Sequence, residues 1–390
     1  MRPVMDTPHA HCTASAAGQN ADDIHVDRAE LLQATLCLMG FEQPFTAPAV
    51  PALCQFIRHH GVAGLLQPDR VQSQAPVYVA ALNAERQRIV IRALALGAGL
   101  KRLVAGFTAR GLQPLALKGP ALAVQAYGNL GARGGVDLDV LLPAEQWPEG
   151  LAVLQDMGYH MAPGQQWPLP DAAHELVLTH EQQPRIELHR RLLRHQHLLH
   201  APQRITQVLD LQGTEVTCLA PTYALPYLIA HASQHCFRRL IWLMDIHALL
   251  QRADLDLELL ASQVKRSGTC AMLDTCLSLL TVLFGLQAPA PLQQVRRPCR
   301  ASREMVELAL DALRRSLSDD QVATGQGLFK RVSLDIALQD TLPARWQALA
   351  GWLSPTAKDH QWLALPRGLS FLYPFVRLFR LALRRRGDEI

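Results

Sequence analysis

A chain of 390 residues exceeds the size of one typical core, so two structural units are the expectation. With 49% hydrophobic and 18% charged residues it reads as globular and largely helical rather than disordered, and a formal net charge of +4 is too small for this length to argue for nucleic acid as a specific partner. The eight cysteines, at 12, 37, 54, 218, 236, 270, 276 and 299, form no Cys-x-x-Cys pair, which disfavours a zinc ribbon and a disulfide framework and points to reduced thiols in a cytosol.

In chain order, residues 1–26 read as a disordered polar leader without the apolar segment of a signal peptide. No later stretch is long enough to span a bilayer, so the expected location is cytoplasmic. Residues 27–111 form an N-terminal helical region: "DRAELLQATLCLMG" and "PALCQFIRHHGVAGLL" carry apolar residues at three-to-four spacing, and a long helical pattern runs from Val77 to Gly111. Over residues 112–220 the pattern changes to short strands, "QPLALK", "VDLDVLL", "HELVLTH" and "RIELH", with "TEVTCLAP" as a further candidate. Between them "GPALAVQAYG" and "AEQWPEGLAVLQDMGY" read as helices, which makes this region a compact α+β unit.

Residues 221–390 return to helical spacing in "TYALPYLIAHASQHC", "RLIWLMDIHALLQ", "LELLASQVKR" and "TCAMLDTCLSLLTVLFG", as a C-terminal bundle would. The proline-rich "LQAPAPLQQVRRPCR" reads as a surface connection. The tail "LSFLYPFVRLFRLALRRRGDEI" joins an aromatic face to Arg377, Arg380, Arg384, Arg385 and Arg386. It admits a terminal helix packed on the bundle or an interfacial helix on anionic lipid, and Pro374 argues against one unbroken helix.

Residues two apart on a strand point to the same side, so Asp137 and Asp139 present two carboxylates on one face. Like charges held together call for a cation, and oxygen ligands of this type suit Mg²⁺ or Mn²⁺. Glu187 in "RIELH" is the candidate third carboxylate, and three converging carboxylates would allow a two-metal site for displacement at phosphorus, although an Asp-x-Asp is also common on surface strands and turns. Lys118-Gly119-Pro120 closes a strand and opens a helix, and the stretch admits either an ordinary turn with an exposed lysine or a turn whose free backbone N–H groups hold a phosphate. By the same two-residue rule His189 shares the face of Glu187 and is a candidate substrate contact or a partly buried structural histidine. His231 and His235 share a helix face like half a zinc site, and Asp245 in an apolar helix calls for a partner among Arg238, Arg239 and His247.

The run "LALKGPALAVQAYGNLGARGGVDLDVLL", then "LQDMGYH", "RIELHRRLL" and "LIAHASQHCFRRLIWLMDIHALL", resembles the uncharacterised nucleotidyltransferase family of the polymerase-β superfamily, closely over residues 115–250. The resemblance implies a small mixed nucleotidyltransferase sheet with helices, flanked by N- and C-terminal helical regions. It further implies metal-binding, catalytic carboxylates at Asp137, Asp139 and Glu187, a nucleotide-facing turn at Lys118-Gly119, and a phosphate-binding Arg133. The implied partners are a nucleoside triphosphate and an acceptor such as a peptide, a sugar or a protein side chain, in a biosynthetic gene cluster. Better-studied superfamily members have Gly-Ser at the turn, and this chain supplies no hydroxyl there. The alternative reading is therefore an inactive nucleotidyltransferase-fold protein that binds a peptide or partner.

Overall fold

A computed structural model describes residues 27–387 apart from 164, 166, 170–172, 196, 197, 200–204, 319, 320, 322–327, 355–358, 360 and 361. The reading of residues 1–26 lies outside the described residues. Among the described residues four α-helices come first: α1 (Arg28–Leu38), α2 (Val50–His60), α3 (Pro68–Gln74) and the long α4 (Val79–Ala109). The Asp27 carboxylate caps α1 by accepting from the Ala29 N–H, and Gly61, at φ 72°, ends α2 in the left-handed conformation that only glycine adopts freely.

A seven-stranded mixed sheet follows, in the order β3-β4-β5-β2-β1-β7-β6. Its strands are β1 (Leu115–Ala116), β2 (Asp137–Leu141), β3 (His160–Met161), β4 (Glu175–Thr179), β5 (Arg185–His189), β6 (Thr206–Asp210) and β7 (Glu215–Leu219), with α5 (Gly119–Tyr127) after β1 and α6 (Trp147–Asp156) after β2. The pairs β2–β5 and β1–β7 are parallel and the rest antiparallel. Strands β3 and β6 add to those expected from sequence. The edge strand β6 buries no side chain, and its hairpin to β7 turns through Gln212 and Gly213, both at positive φ.

The helices of the second half are α7 (Pro221–Gln234), α8 (Leu240–Leu250), α9 (Leu257–Ser267), α10 (Cys270–Phe284), α11 (Ala290–Val295), α12 (Arg300–Arg315), α13 (Leu328–Ala337), α14 (Leu342–Leu353) and α15 (Tyr373–Gly387). Two cores result. One lies between the sheet and α4 and α6, with Leu100, Leu103 and Phe107 on Leu138, Val140 and Ile186. The other is shared by helices on both sides of the sheet in sequence, Leu53 and Ile57 of α2 joining Leu243 of α8 and Leu280 of α10.

Two sequence expectations are corrected. The proline-rich segment contains the helix α11, whose Leu292 and Val295 are buried, because Pro289 and Pro291 stand at its start, where a missing N–H costs nothing. Pro374 does not break the tail helix, because it falls in the first turn of α15. Tyr373, Val376 and Arg377 of α15 face inward, while Phe371, Phe375 and Phe379 are exposed. No helix among the described residues is long and apolar enough to cross a membrane.

Candidate active site

Register builds the site. Parallel pairing sets Asp137 beside Arg185, Asp139 beside Glu187 and Leu141 beside His189, and antiparallel pairing sets Glu175 of β4 opposite His189. Because side chains alternate, Asp137, Asp139, Glu187, His189 and Glu175 all stand on one face of three adjacent strands. The β1–α5 turn meets this face: the Leu117 N–H donates to the Asp139 carbonyl at 3.0 Å, and Gly119 takes φ +61° as α5 begins.

Two cations neutralise the carboxylates. Lys118 Nζ stands 2.9 Å from Asp139 Oδ1, an ion pair, and 3.1 Å from His231 Nε2. Arg185 donates to Asp137 Oδ2 at 2.7 Å and to Glu187 Oε1 at 2.8 Å, so one guanidinium spans two carboxylates. Burial works to raise the Asp139 carboxyl, but Lys118 and His189 outweigh it and hold it far below the usual carboxylate range. Burial, then the charges of Asp139, Glu175 and Asp137, push Glu187 up to about 7. His231 is held well below its usual value by burial and by Lys118, so its neutral ring accepts from the ammonium.

The sequence-derived residues Asp137, Asp139, Glu187, Lys118 and His189 thus come together. Arg133 sits in the charge field of Asp139 but is committed elsewhere: its Nε donates to Asp245 Oδ2 at 2.8 Å, and Tyr127 donates to Asp245 Oδ1 at 3.0 Å. The partners of Asp245 are therefore Arg133 and Tyr127, not Arg238, Arg239 or His247. Histidines 231 and 235 lie with ring centroids 4.9 Å apart against Trp242, and among the described residues they belong to no cluster of metal-type ligands. Sequence reasoning missed Arg185, Glu175 and Tyr227, whose buried hydroxyl has no hydrogen-bond partner among the described residues. Arg185 and Glu175 were within reach of the period-2 rule applied to "RIELH" and "HELVLTH".

The donor set fits a divalent cation. Ligand atoms of Asp139, Glu187 and His189 all lie within 4.8 Å of one another, and two carboxyl groups face each other across the β2–β5 pair.

No curated protein matches the chain. A crystal structure of an antigenic nucleotidyltransferase-like protein from Paracoccidioides brasiliensis is similar at 13% identity and a TM-score of 0.32, covering 54% of this chain and 96% of its own. Residues 47–285, more than half the chain and the whole of the sheet with its carboxylate face, match the family described as uncharacterised nucleotidyltransferase. The chain belongs to the uncharacterised nucleotidyltransferase family.

Proposed function

We propose that the protein is a metal-dependent nucleotidyltransferase that moves a nucleoside monophosphate from a nucleoside triphosphate to an acceptor oxygen and releases pyrophosphate. The observation that carries this reading is the β2–β5 register, which sets Asp139 against Glu187 with Asp137 one step along the same face. Asp137, Asp139 and Glu187 would hold Mg²⁺ or Mn²⁺, which when bound polarises phosphate oxygens and lowers the pKa of a coordinated acceptor.

The chain's own residues have distinct tasks. The α5 N-terminus, opened by Gly119, offers backbone N–H groups to the triphosphate in place of the absent serine hydroxyl. Lys118 keeps Asp139 ionised, and Lys118 and Arg185 can exchange their carboxylate partners for phosphate oxygens as substrate enters. Arg133, held by Asp245, adds positive potential behind the turn. The acceptor is a hydroxyl or similar oxygen on a peptide, a sugar or a protein side chain, and cytoplasmic action fits the reduced cysteines.

One observation favours a second reading, an inactive fold used for partner binding: Lys118 and Arg185 already neutralise all three carboxylates. Calorimetric titration with each nucleoside triphosphate, with and without Mg²⁺, separates the two. The transferase reading expects metal-dependent binding that the Asp137→Asn, Asp139→Asn double variant loses. Equal binding by the variant, or none by the unaltered protein, would give preference to the inactive fold.

A further inference from the structure

On the far side of His189 from Asp139 the same sheet face carries a second ligand set of different chemistry. Glu175 Oε2 lies 3.2 Å from His174 Nε2 and 3.7 Å from His189 Nδ1, and ligand atoms of the three residues all fall within 4.8 Å of one another. Ligands at about 2.0–2.2 Å from a tetrahedral centre are about 3.4 Å apart, so the two short distances bracket the edge that such a centre requires.

His189 is 3% exposed, and its contacts to carboxylates are long: Nε2 lies 3.3 Å from Asp139 Oδ1 and Nδ1 3.7 Å from Glu175 Oε2. Both nitrogens of this buried imidazole face carboxylate oxygens, Nδ1 toward Glu175 and Nε2 toward Asp139, a setting that suits a shared cation. The backbone around the cluster is pinned, because the Arg190 N–H donates to the His174 carbonyl and Arg190 Nε to the Ala173 carbonyl, each at 2.8–2.9 Å.

We propose that His174, Glu175 and His189 form a second cation site, selective for a borderline metal of the Zn²⁺ type and adjoining the carboxylate set through the shared His189. Two imidazoles and one carboxylate are a zinc donor set, whereas Mg²⁺ prefers oxygen alone. Three protein ligands leave a fourth position open, as in zinc sites that take water or a substrate atom. His189 links the two sets, its Nδ1 toward Glu175 and its Nε2 at 3.3 Å from Asp139 Oδ1.

The test uses full-length, untagged protein, freed of metal and titrated with Zn²⁺ by calorimetry and with Co²⁺ by visible absorption, and it does not depend on nucleotide transfer. The unaltered chain is expected to bind one Zn²⁺ tightly and to give the visible band of tetrahedral Co²⁺ without the near-ultraviolet band of thiolate ligation. His174→Ala and Glu175→Gln should each weaken Zn²⁺ by at least about 100-fold, since even partners outside the ligand shell contribute roughly 10–100-fold. Asp137→Asn should leave Zn²⁺ affinity unchanged. Should a variant lose its native circular dichroism, His174→Gln at the partly exposed ligand replaces it. The proposal is overturned if the unaltered chain binds no Zn²⁺, if His174 variants bind as tightly as it does, or if Asp137→Asn is as damaging as they are.

Discussion

Asp245 shows how a buried charge is kept in this chain. It is 1% exposed, and both of its oxygens are taken, one by Arg133 and one by Tyr127. Burial works to raise the Asp245 carboxyl and holds it above the usual range, with Arg133 and Tyr127 opposing that rise. A hydrogen bond to a charged acceptor contributes about 1.5–3 kcal/mol, so Tyr127→Phe should lower the unfolding free energy by about 2 kcal/mol. Arg133→Ala, which strands the acid, should cost about 3–5 kcal/mol. Urea denaturation measures both, and a Tyr127→Phe loss as large as that of Arg133→Ala would mean that the hydroxyl, not the guanidinium, carries the pair. The need for a partner was legible in "WLMDIHALL", but its identity was not. Sequence reasoning searched nearby cations, and the true partner lies 112 positions away, brought in by the packing of α5 on α8.

Among the elements, those with strong periodicity or capping were legible, and those defined by tertiary context were not. The long α4 was visible from its repeat, and β2 and β5 from their alternation, which is also why the carboxylate face could be foreseen. Strand β6 was not, since an edge strand with polar residues on both faces has no apolar alternation to read. The segment around α11 misled for a related reason: prolines normally mark loops, and only the fold reveals that they precede a turn of helix that seals the side of α9. Leu292 is fully buried there, so Leu292→Ala should cost about 2–5 kcal/mol, while Gln294→Ala on the exposed face should stay within about 0.5 kcal/mol. Chemical denaturation of the two variants decides the matter, and equal stability would return the segment to the status of a surface connection.

At the scale of the whole molecule, the core shared by the first and last thirds of the chain rests partly on a neutral histidine. His60 at the end of α2 is fully buried; its Nε2 is 3.0 Å from the Leu313 carbonyl of α12, and its Nδ1 accepts from the Leu240 N–H that begins α8 at 3.2 Å. Burial, then neighbouring His59, holds His60 well below its usual value. His59 is pushed down to about 4, and His174, His231 and His247 are also lowered, each chiefly by burial. As pH falls below about 6.5 the unfolded chain takes up more protons at these histidines than the folded chain does, so each can remove up to about 1.4 kcal/mol of stability per pH unit. Glu187 acts in the opposite sense, because its raised pKa lets the folded chain hold a proton that the unfolded chain has lost between about pH 7 and its ordinary value. Asp245, also raised, acts in the same sense as Glu187, and these two carboxyls are outweighed by the five histidines. The urea midpoint should therefore fall steadily from pH 7 to pH 5, before the carboxylates held low by ion pairs begin to contribute. A midpoint that is flat or rising across that interval would mean that these histidines are protonated in the folded chain, and the polar seams joining α2, α8 and α12 would then have to be assembled from charged rather than neutral rings.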